Sequence, residues 1–144
     1  MILVKASVEI KRPVAEVFDF LSDARNEVKW IPGASDVKLV TGEPVRKGSR
    51  FQGNYTRAGT VEIELVECAR PDHVTFRAHS RIVDFDDEVK LTPTANGTLL
   101  EAVMEAQPKG MMRLLSFMMK GVMQTQFGAN WLVLKQYLED PVNL

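Results

Sequence analysis

One carboxylate stands where the pattern of its segment requires an apolar side chain. In VDFDDEVKL (83–91), Val83, Phe85, Val89 and Leu91 alternate on one face against Asp84, Asp86, Glu88 and Lys90 on the other. Asp87 falls between Phe85 and Val89 on the apolar face. A carboxylate buried there costs several kcal/mol unless it is paired, or it keeps its proton. Held near neutrality, it can bind a ligand hydroxyl or serve as a general base. The alternative is a bulge within Asp86-Asp87-Glu88, where one extra residue turns Asp87 outward. Tyr55 shares the expected inner face of its strand with Phe51 and Gly53, and its hydroxyl would be a polar tip in an aromatic wall or a packed core. Gln126 and Asn130, one helical turn apart, are amides able to hold a carbonyl or hydroxyl. They can equally bond to each other, to sheet backbone, or lie exposed at a rim. Trp30, followed by Ile31-Pro32-Gly33, is expected to close one end of the fold or cap a cavity.

Other chemistries lack support. His73 lies in a Pro-Asp-His turn and His79 on a charged face, so neither belongs to a metal-ligand set, and the lone Cys68 adds none. No Gly-rich phosphate loop and no G-x-S-x-G elbow occurs. Neither a metal nor a cofactor is expected. The methionines stand out instead: residues 111–124, MMRLLSFMMKGVMQ, hold five of the chain's seven. Met adapts to irregular apolar ligands, and it also fills ordinary cores. Met118 lies off the apolar helix face, at an entrance or a partner contact.

The elements that must position these groups are legible. Residues 2–10 alternate as a half-buried strand. Pro13 opens a helix with Val14, Val17, Phe18 and Leu21 at helical spacing. Ser22 and Asp23 offer a cap for a second short helix over 23–29, stopped by Pro32-Gly33. Six strand-like runs follow between Val37 and Ala106, most with one apolar and one charged face. That describes an antiparallel sheet with one wet side. A helix is expected over 110–139, with Met112, Leu115, Met119, Val122, Gln126, Asn130, Val133 and Tyr137 on one face. Gly121 and Gly128 interrupt it, allowing a bend or a close contact.

The chain has 144 residues and a formal net charge of −1, which suits one domain (1–144) and argues against a nucleic-acid partner held by bulk charge. The single cysteine fits a reducing compartment. The N-terminal run lacks signal-peptide order, and Arg113 and Lys120 interrupt the Met-rich segment, so a cytoplasmic protein without a membrane span is expected, as monomer or homodimer.

The order of elements resembles the START-related, birch-pollen-allergen-like superfamily with the helix-grip fold (SRPBCC). The resemblance rests on VEIKRPVAEVFDFLSDARNEVKWIPG with Pro13, Val17, Asp23 and Trp30-x-Pro32, on NGTLLEAVMEA with Gly97-Thr98, and on LKQYLE. The nearest branch is the small bacterial polyketide cyclase/dehydrase and lipid-transport-like proteins. It implies an α+β fold in which a curved seven-stranded antiparallel sheet wraps a long C-terminal helix, with two short helices after the first strand. It also implies a cavity for a small apolar molecule between sheet and helix. The expected wall comprises Phe76, Phe85, Val89, Met104, Met119 and Met123, with Trp30, Phe51, Gln126 and Asn130 as further ligand contacts, in a volume of roughly 300–1,000 Å³. Three functions stay open: a carrier or sensor of that molecule; a polyketide cyclase or dehydratase using Asp87, Tyr55 or an arginine such as Arg50; or an accessory protein with a filled core.

Overall fold

The computed structural model describes residues 1–143. Strand β1 (Ile2–Ile10) leads into helix α1 (Val14–Leu21) and a 3-10 segment (Ala24–Lys29). Strands β2 (Ala34–Leu39), β3 (Arg50–Tyr55), β4 (Gly59–Ala69), β5 (His73–His79), β6 (Val83–Thr94) and β7 (Gly97–Pro108) come next. A 3-10 segment (Gly110–Leu115) then precedes helix α2 (Ser116–Glu139). The strands form one antiparallel sheet in the order β1-β7-β6-β5-β4-β3-β2. This is the helix-grip arrangement, with α2 gripped by the sheet.

Alternation places the core. Val61, Ile63 and Leu65 of β4, Val83, Val89 and Leu91 of β6, and Leu100, Ala102 and Ala106 of β7 are all buried. They meet Val17, Phe18 and Leu21 of α1 and Phe127, Trp131 and Leu134 of α2. Each fully buried Val, Leu, Ile or Phe among them contributes about 1.5–3 kcal/mol. The outer face pairs its charges across strands, with Arg77 to Asp86 at 2.9 Å, His79 to Asp84 at 3.2 Å and His73 to Glu88 at 3.0 Å.

The free edge of β1 is covered by α2. Gln124 takes the Lys5 N–H at 3.2 Å and donates to the Lys5 carbonyl at 2.7 Å, standing in for a neighbouring strand. Lys135 donates to the Glu9 carbonyl at 2.7 Å, and Glu139 accepts from the Lys11 N–H at 2.9 Å. An edge satisfied this way is closed to another chain. At the opposite end, Gly97 (φ +156°) fits beneath the β1–α1 connection, where a Cβ would lie 2.1 Å from the Ile10 carbonyl oxygen.

The expected helix over 110–139 is present, in two parts. Residues 110–115 are 3-10, and α2 begins only at Ser116. The face turned inward is Met119, Met123, Phe127, Trp131, Leu134 and Leu138, whereas Leu115, Val122 and Val133 are exposed. The aromatic rings of Phe127 and Trp131 offer more apolar area than Val122 or Val133, and they take the interior. Gly121 and Gly128 have open space where a Cβ would stand, so neither serves a close contact.

Candidate functional site

The concave face encloses a cavity in two adjoining parts. The inner part, about 140 Å³, is lined by Glu27, Ile31, Tyr55, Phe76, Phe85, Asp87 and Met104, among others. The outer part, about 290 Å³, shares Ile31, Phe85, Asp87 and Met104 and continues to Trp30, Arg57, Val122, Met123, Gln126, Phe127, Asn130 and Trp131. The parts together fall at the lower end of the small-molecule range.

Asp87 stands at their junction. The β5–β6–β7 register runs unbroken through it, with Phe76 and Met104 opposite, so there is no bulge and the side chain points inward. Its Oδ1 is buried without a hydrogen-bond partner. Burial foremost, and the neighbouring Glu27 charge second, raise its pKa from 3.8 to about 7.

Glu27 was not foreseen from the sequence. An α-helical reading of 23–29 gives it no inward direction. The segment is 3-10, in which side chains three apart eclipse. Ala24, Glu27 and Trp30 therefore form one inward stripe, anchored by Ala24 and Trp30, both buried. Asp23 fixes the start of the segment by accepting the Arg25 N–H at 3.0 Å. Burial raises the Glu27 pKa from 4.5 to about 7, partly opposed by the Tyr55 hydroxyl, which donates to Glu27 Oε1. Burial and the Glu27 charge raise the Tyr55 pKa well beyond its ordinary range, so the phenol stays a neutral donor. The two carboxyls line the same inner part, where the Glu27 charge bears on Asp87. With both pKa values raised toward neutrality, the pair can offer a base and an acid in a mostly apolar chamber.

The helix side adds a second unsatisfied polar atom. Trp131 is buried, and its ring lies 5.0 Å from that of Trp30 and 5.7 Å, edge-on, from that of Phe127. Its Nε1–H has no acceptor. Gln126 donates to Asn130 Oδ1 at 2.8 Å, which orients the Asn130 amide along the outer wall.

The expected site residues thus divide. Tyr55, Asp87, Phe76, Phe85, Met104, Met123, Trp30, Gln126 and Asn130 all line the cavity. Phe51 and Val89 are core residues behind the wall, and Phe51 meets the Phe76 ring edge-on at 6.5 Å. Met119 packs against the core without lining either part. The methionine wall reduces to Met104 and Met123, because Met111 and Met118 are exposed. Arg50 faces outward, 3.7 Å from Glu64, in a charged concavity remote from the carboxyl pair. Val122, on the expected inner helix face, lines the outer part; beyond Glu27, the sequence reading missed Ile31, Arg57, Phe127 and Trp131. The aromatic pair at i and i+4 in α2 was the available signal for the last two.

The chain belongs to the family described as polyketide cyclase / dehydrase and lipid transport, whose model matches residues 1–139. Among curated proteins nothing matches. A START superfamily protein from Mycobacterium smegmatis is similar in structure, with a TM-score of 0.80 at 12% identity over 95% of this chain and 97% of its own. A conserved protein from Geobacillus kaustophilus gives a TM-score of 0.75 at 19% identity, covering 95% of each chain. The di-domain ARO/CYC StfQ of the steffimycin biosynthetic pathway gives 0.73 at 16% identity, over 99% of this chain and 52% of that one. At these identities the structural likeness speaks to the fold.

Proposed function

We propose that this protein binds a small, mostly apolar molecule by an oxygen function seated at the Glu27–Asp87 pair. The observation that carries this reading is Asp87 Oδ1, buried and unpartnered within an apolar wall. A group left in that condition lowers folding stability, and a ligand hydroxyl or carbonyl would relieve it. The Trp131 Nε1–H, unpartnered on the facing helix, suits a second acceptor on the same ligand.

The test uses matched probes. 1-Naphthol and naphthalene differ by one hydroxyl, and their binding can be followed by calorimetry or by tryptophan fluorescence. The proposal expects naphthol to bind about tenfold tighter or more, with the advantage lost in Asp87→Asn. Equal affinities in the wild-type protein would overturn it.

A second reading is favoured by the carboxyl pair itself: acid–base catalysis on an enolisable polyketide-like substrate, as in a cyclase or dehydratase. An ionised member of the pair would remove a proton next to a carbonyl, and the protonated member or the Trp131 N–H would steady the developing oxyanion. Here Asp87→Asn should keep ligand binding and lower turnover by roughly 10²–10⁴. A carrier should show an affinity change with no turnover in either form.

A further inference from the structure

One end of the sheet carries a surface that the cavity does not explain. The antiparallel register puts the β3–β4 turn (Arg57, Ala58), the β5–β6 turn (Arg81, Ile82) and the end of β7 at the same pole. The 3-10 segment and the first turns of α2 continue from there, tied on by the Lys109 N–H to the Ile82 carbonyl at 2.8 Å. On this pole large apolar side chains face outward: Met111 is 82% exposed, Phe117 79%, Leu114 74% and Met118 62%. Such a cluster is unusual on a protein surface that stays in water.

The charges among them have one sign. Residues 106–124 contain three basic side chains and no acidic one, in a chain whose net charge is −1. Lys109 is held by Asp84 at 2.7 Å. Arg57, Arg81, Arg113 and Lys120 are exposed and form no ion pair among the described residues. Asp84, the acid at the foot of this pole, is engaged by Lys109 and His79.

We infer that this pole docks on an anionic lipid surface, with Leu114, Phe117 and Met118 entering the headgroup boundary and Arg113 and Lys120 meeting lipid phosphates. Apolar side chains interleaved with basic ones are what an interfacial segment requires. A second copy of the chain fits less well. A two-fold interface would set this patch against itself and bring unpaired like charges together. The position of the cavity agrees with a lipid partner. Arg57 and Val122, both at this pole, line its outer part, so an apolar ligand could pass from the bilayer to the cavity by a short path. No helix among the described residues is long and apolar enough to cross a membrane, so the contact is a surface one.

Vesicle co-sedimentation of the full chain tests this. Phosphatidylcholine vesicles containing phosphatidylglycerol should carry the protein down, and pure phosphatidylcholine vesicles should do so weakly. Binding to the anionic vesicles should fall with added salt. Reversing both Arg113 and Lys120 to Glu should weaken binding roughly 30-fold or more. Leu114→Asp with Phe117→Asp should abolish it. Circular dichroism and melting should stay as in the wild type, because these side chains are exposed. No binding to anionic vesicles, or binding indifferent to charge reversal, would overturn the inference. So would a homodimer in solution that Phe117→Asp dissolves while vesicle binding persists.

Discussion

Stability should fall as pH rises from 5 to 8, opposite to the usual behaviour of acidic side chains held in ion pairs. Both carboxyls have folded-state pKa values of about 7, raised from 3.8 for Asp87 and 4.5 for Glu27. Below pH ~4 both states are protonated and the pair is neutral to folding. Between ~4 and ~7 the folded state keeps protons that the unfolded chain has released. Unfolding then releases protons, and rising pH favours it. At 1.36 kcal/mol per pH unit, the cost at pH 8 would be about 4 kcal/mol for Asp87 and about 3 kcal/mol for Glu27 taken singly. The Glu27 charge enters the Asp87 figure alone, so the two figures are not independent. Asp87→Asn removes one charge and relieves Glu27. It leaves an amide to satisfy, at about 1 kcal/mol or more. The variant should therefore match the wild type at pH 5 and exceed it by about 2–3 kcal/mol at pH 8. Urea titrations at half-unit pH steps would read this directly, and melting points should separate by several degrees. A wild-type protein that gains stability from pH 5 to 8, or an Asp87→Asn variant weaker than wild type at pH 8, would refute the reasoning.

Single contacts carry further consequences. Tyr55→Phe removes the hydroxyl that holds the Glu27 pKa down, so the stability loss with rising pH should begin at the same pH but continue to higher pH and grow larger, as the same urea titrations would show. Trp131→Phe keeps a ring against Trp30 but deletes the unpartnered N–H, so naphthol affinity measured by calorimetry should drop a few-fold, with some loss of stability from the void the smaller ring leaves. Gly121→Ala meets open space within α2 and should stabilise by about 0.8–1 kcal/mol in denaturant unfolding. Gly97→Ala drives a Cβ into the Ile10 carbonyl and should cost at least ~2 kcal/mol by the same assay.

The sheet was legible because period-two alternation is a local signal. Each β-strand after β2 reads its inner face from its own residues, and Asp87 stands out against Phe85 and Val89 for that reason. The turns were marked by Pro and Gly. What escaped depended on phase and on contacts between elements. Glu27 points inward only because residues 24–29 wind at three residues per turn, and an α-helical assumption cannot show that. The expected face of α2 held for Met119, Val122, Gln126 and Asn130, but the buried stripe runs beside it through Met123, Phe127, Trp131 and Leu134. Phe127 and Trp131 take the interior, Val133 is exposed, and Val122 stands at the exposed rim of the outer cavity part. Val89 and Phe51 were assigned to the right side of the sheet, but whether an inward residue lines a void or fills the core behind it is decided by neighbours from other strands. The methionine cluster shows the same limit from the opposite direction: composition marked residues 111–124 as special, while the fold turned several of those side chains outward, next to Arg113 and Lys120.

The most direct measurement of the central claim is a carbon-13 NMR titration of the side-chain carboxyls, with Asp87→Asn and Glu27→Gln to assign them and naphthol added to the same samples. Two resonances should titrate near pH 7, one vanishing in each variant, and both should move when naphthol binds. If every Asp and Glu carboxyl titrates below pH 5, or if naphthol binds without disturbing these two, the paired-carboxyl ligand site does not exist as described.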